Sequence, residues 1–430
     1  MSKQQTTQWG AIIVMIALFA MIAFVTNLCS PMGVIVKNQF GTTNFMAMIG
    51  NYANFMAYLL MGFPAGMCIK KYGYKKTALI GLLVGIVGIL VQWLSGWGGM
   101  AVYLIGALIS GCCMCILNTV VNPMLNLLGG GGNKGNQLIQ IGGVFNSSAA
   151  VAVYIIMGAL IGDAAKAKIS DATPALMIAL AIFVIAFIVI FFTKIEEPQQ
   201  HVEVKSGEKD PYSAFSFRHF NLGILAIGLY GGVEMGIPGF ILQYLTAAKD
   251  AVTPGLGMDA GYVGTLAAVY FLLMLIGRFI GASVGGKVST KAMITFVSAT
   301  AVVLTALGIY LPTDITVSIP GIDYTNMALL WGNIPVGIFC FLLVGLCASV
   351  MWGGIFNLAT EGLGKYTAIA SGAFMTMVCG FAIMVGIQGL VADWTHSYLI
   401  SYWVPLLCAA YILYYALWGS KNVNTDIPVE

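Results

Sequence analysis

Residues 76–95 read KTALIGLLVGIVGILVQWLS, and Lys76 at the start is the one charged residue among them. An α-helix needs about 20 mostly apolar residues to cross the hydrocarbon core of a bilayer, so this stretch predicts a transmembrane helix. Similar runs recur along the whole chain, at 10–36, 44–69, 99–126, 136–162, 174–193, 220–247, 259–284, 290–311, 331–358, 366–390 and 398–418. The sequence therefore predicts an all-α membrane protein with twelve transmembrane helices.

The composition excludes a soluble fold. Hydrophobic residues make up 59% of the 430 residues and charged residues 8%. Soluble domains carry about 25% charged residues, which cover the surface that faces water. The net charge of +3 is also too small to hold a nucleic acid. We therefore expect a lipid bilayer, and no nucleic acid, as the surroundings of this protein.

Residues that support catalysis or bind metals are scarce at membrane depth. The nine cysteines all lie in apolar runs, where cysteine is usually a small packing residue. The three histidines, at 201, 219 and 396, lie in a predicted linker or an outer loop. No metal site or Ser/His/Asp arrangement is predicted inside the membrane. We expect no enzyme and no cofactor, apart from a possible bound sodium ion.

The basic residues predict the orientation. With both termini inside, fourteen of the 19 lysine and arginine residues lie in cytoplasmic segments and four in outer segments, with Arg278 near a helix end. Cytoplasmic loops of membrane proteins carry an excess of these residues. The sequence therefore predicts a multi-pass protein of the plasma membrane with both termini cytoplasmic.

One long polar stretch interrupts the apolar runs. Residues 194–219 read KIEEPQQHVEVKSGEKDPYSAFSFRH, with two prolines and mixed charges, as in a linker. The predicted domains are an N-terminal six-helix bundle at 1–193, a cytoplasmic linker at 194–219, and a C-terminal six-helix bundle with a cytoplasmic tail at 220–430. Two such halves are the layout of transporters that work by alternating access.

An offset of 215 residues relates two helix-to-turn segments, one in each half. Glycines let neighbouring helices approach closely, and the basic turns would anchor an edge that opens and closes. Coincidence in a glycine-rich chain is the alternative. The predicted gating residues are Gly62, Gly66, Lys76, Gly277, Arg278, Gly281 and Lys291.

Glu234 is the one acidic residue predicted at membrane depth, about fourteen residues into the seventh span. A charge there costs at least about 2.5–3.5 kcal/mol, so its presence indicates a function. The carboxyl group could load and release a proton, bind sodium as an anion, or hydrogen-bond a substrate hydroxyl. A protonated acid that bonds to a neighbouring helix is the structural alternative. We predict that Glu234 is the coupling carboxylate.

Three spans carry a proline four positions after a polar residue. A proline cannot donate a hydrogen bond to the carbonyl group four residues earlier, so that carbonyl loses its helical partner. Such carbonyl groups can coordinate cations, although a simple kink is an equal alternative at each site. The residues that would offer a possible sodium site are Asn27 before Pro31, Thr119 before Pro123, and Glu234 before Pro238.

Neutral polar and aromatic side chains recur inside the spans. Any one amide could hold two helices together, but a set spread over six helices favours the lining of a site for a hydroxyl-rich ligand. No lysine or arginine is predicted at mid-membrane, which disfavours anionic substrates. The predicted contacts are Asn27, Asn51, Asn54, Asn118, Asn122, Asn146 and Asn357, with Tyr230, Tyr270 and Trp352 as stacking faces.

Several segments together resemble the major facilitator superfamily, and within it the fucose permease branch of sugar symporters. They are FVTNL (24–28), GFPAGMCIKKYGYKK (62–76), NTVVNPMLNLLG (118–129), GGVFNSSAA (142–150), GGVEMGIPGF (231–240), IGRFIGA (276–282) and GIFNLATEGLGKYTAIASGAF (354–374). The resemblance spans about residues 20 to 395. It implies a two-bundle fold in a bacterial inner membrane that imports a monosaccharide with a cation.

The chain departs from that branch at two positions. Ser30 stands where the fucose permease pattern has an aspartate, and Asn118 stands where it has a glutamate. Those carboxylates are associated there with proton coupling and sugar recognition. Glu234 matches a GVE pattern in the seventh helix of many branch members. The branch also includes sodium-coupled glucose carriers, so sodium stands beside the proton as a coupling ion.

The sequence thus predicts a secondary-active importer of a neutral monosaccharide, of hexose, deoxyhexose or amino-sugar type, coupled to a proton or sodium ion. We expect it to act as a monomer. One alternative is an exporter of cationic amphipathic compounds that uses Glu234 as the counter-charge. The others are an uncoupled sugar uniporter and a sugar sensor that does not transport.

Overall fold

The computed structural model describes residues 9–40, 44–161, 168–193, 211–258, 260–323 and 328–429, and this part is mainly helical. The helices and strands, in chain order, are α1 (Trp9–Phe40), α2 (Asn44–Leu128), α3 (Gly132–Ile161), α4 (Ile169–Phe192), α5 (Arg218–Gly231), α6 (Ile237–Thr246), α7 (Ala260–Val284), α8 (Thr290–Tyr310), β1 (Thr316–Asp323), β2 (Ala328–Pro335), α9 (Val336–Ala348), α10 (Met351–Thr360), α11 (Thr367–Thr376), α12 (Gly380–Thr395), α13 (Tyr398–Ser401) and α14 (Trp403–Tyr414). π-helical turns follow α5 (Gly232–Gly236) and α14 (Tyr415–Gly419), and 3-10 turns lie at Ala214–Ser216, Gly364–Tyr366 and Met377–Cys379.

The predicted spans fall on these helices. Seven helices of the described residues are long and apolar enough to cross a membrane, or eight if α9 and α10, bent by 41°, form one span. This number is below twelve partly because α2 continues through three predicted segments, 44–69, 76–95 and 99–126. The protein is therefore a multi-pass helical membrane protein.

Two glycines divide α2. Gly73 has φ 82° and ψ 173°, and Gly99 has φ 80° and ψ −171°, which is not helical geometry. A positive φ is sterically costly for any residue with a Cβ atom, so glycine permits each break. Gly73 lies in the predicted connection between the second and third spans, and Gly99 is the first residue of the predicted fourth span.

A β-hairpin corrects the predicted start of the tenth span. The sequence places a helix from residue 331, but 328–335 form strand β2, which pairs antiparallel with β1. The stretch ALLWGNIP is apolar, so its composition resembles that of a membrane span. Pro335 is the residue immediately before the helix. The helix begins at Val336. Tyr262 near the start of α7 donates its hydroxyl to the carbonyl groups of Ile319 (2.8 Å) and Gly332 (3.0 Å), and so fastens both strands.

The described chain forms two compact units. The first contains the residues up to Phe220 together with Thr360–Cys379 and those from Asn422 onward. The second contains Asn221–Ala359 and Gly380–Lys421. Helix α11 and the C-terminal segment thus cluster with the first unit.

Helix α11 packs closely on α2 within the first unit. A Cβ atom on Gly62 would lie 2.7 Å from the carbonyl oxygen of Gly372, and one on Gly66 would lie 2.8 Å from that of Ala368. Real Cβ atoms do not approach oxygen atoms so closely, so the two backbones meet where side chains are absent. Gly62 and Gly66 therefore allow the close helix approach that the sequence predicts.

Replacement of Gly66 by alanine tests this contact. The added methyl group must displace the α11 backbone, and such overpacking costs about 1–3 kcal/mol. We expect the melting temperature of the purified protein to fall by at least about 2 °C.

The matched control is Gly386→Ala in α12, because a Cβ atom on Gly386 meets nothing within 4 Å. It should leave the melting temperature unchanged. Equal melting temperatures for the two variants would show that α2 and α11 do not pack as described.

Candidate functional site

A buried ion pair occupies the second unit. The Nη2 atom of Arg278 lies 3.9 Å from Oε1 of Glu234, and their side chains are 10% and 13% exposed. This corrects the expectation that no basic residue lies at the depth of Glu234. Arg278 is near the end of α7 in sequence, but side chains in a helix point back toward its N-terminus, and arginine is long enough to reach the carboxylate.

Glu234 lies in the π-helical turn Gly232–Gly236 between α5 and α6. The sequence predicts an irregular backbone here, because Pro238 cannot donate a hydrogen bond to the carbonyl group of Glu234. Single π-turns inside helices are frequent at functional sites. The hydroxyl of Tyr270 donates to the carbonyl oxygen of Val233 over 2.9 Å, and that of Tyr402 donates to Ile237 over 3.3 Å. Two tyrosines therefore fix the backbone around the turn.

The groups beside Glu234 also contact the end of α9. Tyr230, one turn earlier, donates its hydroxyl to the carbonyl oxygen of Ala348 over 3.0 Å. Nε of Arg278 donates to the carbonyl oxygen of Ser349 over 3.3 Å. The last carbonyl groups of a helix have no partner within that helix. Here the carbonyl group of Ala348, the last residue of α9, accepts from Tyr230, and that of Ser349, the next residue, accepts from Arg278.

Three aromatic side chains surround the start of α10. The ring of Trp352 lies 6.4 Å from Tyr230 and 6.1 Å from Phe381, and Tyr230 lies 5.8 Å from Phe381. Tyr230 and Tyr270 are fully buried and Trp352 is partly exposed. Of the three predicted stacking residues, Trp352 thus offers the accessible ring. Asn357, on the same helix, is 1% exposed.

Amide side chains cluster in the first unit. Nδ2 of Asn118 donates to the hydroxyl oxygen of Tyr58 over 2.7 Å, and Nδ2 of Asn122 donates to the carbonyl oxygen of Asn118 over 2.9 Å. Asn54, also buried, packs beside Gly111. Tyr58 thus contacts one of the predicted sugar contacts directly, and Asn122 is bonded to the same asparagine. The sequence places Tyr58 on one helix face with Asn51 and Asn54, so its place in this cluster was predictable.

A second pair of amides borders α1. Asn27 donates to the carbonyl oxygen of Ala23 in its own helix, and Asn146 donates to that of Phe19, each over 2.8 Å. Both side chains are partly exposed. The side chains of Asn51 and Ser30 lie outside the described part.

The possible sodium ligands are placed as follows. Asn27 and Thr119 lie in the first unit, and the Thr119 hydroxyl donates to the carbonyl oxygen of Cys115 over 2.8 Å. Glu234 lies in the second unit. The described residues contain no group of three or more His, Cys, Asp or Glu side chains that could hold a metal ion.

The remaining gating residues differ in their surroundings. A Cβ atom on Gly277 would lie 2.6 Å from the carbonyl oxygen of Leu346, so α7 meets the last turn of α9 closely. Gly281 is buried, whereas Lys76 and Lys291 are exposed. The two halves of the predicted repeat therefore pack on different helices.

Comparisons with known proteins agree with this fold. The family model for the Major Facilitator Superfamily matches residues 13–387. The chain is 30% identical to a putative glucose/galactose transporter of Helicobacter pylori (strain J99), covering 97% of this chain and 99% of that one. It is 28% identical to a glucose/galactose transporter of Brucella abortus, covering 94% and 93%. The crystal structure of the transporter FucP in the outward conformation matches with a TM-score of 0.80 at 21% identity, covering 96% and 99%.

These matches run over nearly the whole chain. They agree with the predicted arrangement of apolar helices and with the absence of a predicted catalytic site. The protein is a transporter rather than an enzyme, and it belongs to the Major Facilitator Superfamily.

Proposed function

We propose that the protein is a secondary-active importer of a neutral monosaccharide, of hexose, deoxyhexose or amino-sugar type, driven by a cation gradient. The observation that carries the proposal is the presence of two features in the same chain. One is the cluster of neutral amides around Asn118, and the other is the buried ion pair of Glu234 and Arg278. The relatives named as glucose/galactose transporters, similar over more than nine-tenths of each chain, support the same substrate class.

The amide cluster suits a sugar. An amide offers both a donor and an acceptor, as a sugar hydroxyl does, and a site built from such groups rejects ligands that lack them. Tyr58, Asn118 and Asn122 supply three such side chains in one place. The charge of Arg278 is opposed by Glu234, so this guanidinium does not favour an anionic substrate.

The ion pair disfavours export of cationic amphipathic compounds. A cationic drug that used Glu234 as its counter-charge would have to displace Arg278 from a buried position. To break a buried pair in this way costs about 3–5 kcal/mol. A proton or a small cation, which can reach the carboxylate without removal of the arginine, is the better partner.

We further propose that Glu234 is the coupling carboxylate and that its backbone carbonyl group is a ligand if the coupling ion is sodium; the other two predicted sodium ligands, Asn27 and Thr119, belong to the first unit. The distribution of lysines and the bacterial relatives favour a bacterial inner membrane with both termini cytoplasmic. Loading of one cation at Glu234 would then accompany each sugar inward.

Substitution Glu234→Gln tests the coupling role. The amide keeps the shape of the side chain but cannot ionise. We expect accumulation driven by a proton or sodium gradient to be lost, because a side chain that cannot ionise can neither load and release a proton nor hold a cation by its charge. Exchange of labelled for unlabelled sugar should persist, because it needs no net cation movement.

Proteoliposome assays with a proton gradient, a sodium gradient and no gradient measure this effect. Glu361→Gln, which changes an exposed carboxylate, is the matched control and should transport normally. Undiminished accumulation by Glu234→Gln would refute the coupling role. If wild-type uptake is the same with either gradient as with none, the protein is a uniporter.

Replacement of Asn118 by alanine tests the sugar site. The change removes the donor to Tyr58 and one side-chain donor–acceptor group. A sugar hydroxyl left without its partner in the site costs about 1–3 kcal/mol of binding free energy, so we expect the sugar KM to rise about tenfold. Asn133→Ala, at an exposed position, is the control.

A thermal-shift screen identifies the ligand independently. Ligand at 100 times Kd stabilises a protein by about 2.7 kcal/mol, so neutral sugars should raise the melting temperature while sugar phosphates should not. The screen is run with and without sodium. A response confined to sugar phosphates would exclude the proposed substrate class.

A further inference from the structure

We propose that Arg278 is a positioning residue that links the charge of Glu234 to the break between α9 and α10. This inference rests on the coupling role of Glu234 proposed above. The sequence predicts Arg278 as a gating residue near the end of a helix, whereas this proposal gives it a role in coupling.

The first step of the argument concerns the break. Helix α9 ends at Ala348, α10 begins at Met351, and the two axes differ by 41°. Helix kinks without proline have identifiable local causes, such as a side chain that takes a backbone partner. The carbonyl groups of Ala348 and Ser349, consecutive residues at the break, accept from Tyr230 and Arg278. Side chains from α5 and α7 therefore hold the bend.

The second step concerns what these two donors share. Tyr230 precedes Glu234 by one helical turn, and Arg278 is its ion-pair partner. The Arg278 guanidinium thus contacts the carboxylate through Nη2 and the break through Nε. One planar, rigid group joins the two places, which a flexible lysine ammonium group would not do with the same geometry.

The third step concerns the distance between the helices. Gly277 lacks a side chain where α7 meets α9, and an added Cβ atom would lie 2.8 Å from Cβ of Ser349. The close approach brings the Arg278 side chain within reach of the Ser349 carbonyl group. Ser349 in turn donates its hydroxyl to the carbonyl oxygen of Leu346 over 2.6 Å. The contact is therefore built into the packing of both helices.

The fourth step concerns charge. The titratable groups described around Glu234 are Arg278, Tyr230 and Tyr270. Cys347 of α9 and Tyr402 lie beside Tyr270, and Cys408 of α14 lies beside Gly232. Of these, Arg278 carries the positive charge. When Glu234 gains a proton or binds a cation, the guanidinium loses its counter-charge, and an uncompensated buried charge is unfavourable. The hydrogen bond from Nε to the carbonyl oxygen of Ser349 then changes its geometry, and the angle between α9 and α10 changes with it.

The angle between α9 and α10 also affects residues that are predicted to contact the sugar. Trp352 follows Ser349 by three residues and carries the partly exposed ring of the aromatic cluster. A change in the bend moves Trp352 and Asn357 relative to α9. Cation loading at Glu234 is thereby linked to the position of two predicted sugar contacts without a direct bond between cation and sugar.

The experiment is a double-mutant cycle read by hydrogen–deuterium exchange at one pH, without ligand. Glu234→Gln mimics the charge-neutralised state. We expect it to change amide exchange in peptides that cover 346–354 by at least about threefold. In an Arg278→Gln background the same substitution should add nothing. Exchange at these peptides should be unaffected by Arg218→Gln, a change at an exposed arginine.

Two further variants keep the test decisive. Arg278→Gln leaves Glu234 unpaired, so if that protein fails to fold, the neutral double variant Glu234→Gln/Arg278→Gln should recover folding. Arg278→Lys keeps the buried charge but not the planar group that contacts both places, so in that background the effect of Glu234→Gln on exchange at 346–354 should also be lost. Equal effects of Glu234→Gln in the wild-type and Arg278→Gln backgrounds, or effects confined to 230–238, would overturn the proposal.

The readout needs no sugar and no transport. If the cycle behaves as expected while no sugar binds, the linkage stands and the proposed substrate fails. If sugar transport is coupled but the cycle is additive, the proposed function stands and the linkage fails.

Discussion

The pairing of Glu234 with Arg278 is the constraint on which the second unit depends. Two opposite charges, each about nine-tenths buried, lie 3.9 Å apart inside an apolar helical packing. Such a pair is weak evidence of stabilisation, because desolvation offsets most of the attraction. Stability alone therefore does not explain its presence, whereas the coupling role proposed above would. Around it the helices depart from regular geometry in two places, the π-turn at Gly232–Gly236 and the break after Ala348.

Both departures are compensated by side chains. In lipid, no water is present to satisfy a freed carbonyl group, so irregular backbone is tolerated only where protein groups replace the missing partners. Tyr270 and Tyr402 do so at the turn, and Tyr230 and Arg278 do so at the break. The four side chains explain how helices that are irregular at their centres remain stable in a membrane.

The helical spans could be predicted because a bilayer selects for long apolar runs, and that requirement dominates the composition. The irregular turn at Glu234 was also predictable, since Pro238 removes a specific backbone donor. The hairpin of β1 and β2 was not, because ALLWGNIP has the composition of a span and differs from one only in its pairing. Long-range contacts such as Asn118 with Tyr58, 60 residues apart, depend on how helices pack. The reach of Arg278 to Glu234 depends on side-chain direction, which hydropathy does not record.

The hairpin has a mechanical consequence. Tyr262 binds both of its strands near one end of α7, and Arg278 lies sixteen residues further along the same helix, about 24 Å away at 1.5 Å per residue. A straight helix behaves as a stiff rod over that length. Any tilt of α7 at Arg278 would therefore also move the two strands that Tyr262 holds at the other end of the helix. A change of charge at Glu234 that tilted this helix would thus displace a hairpin that lies far along α7 from both charged groups.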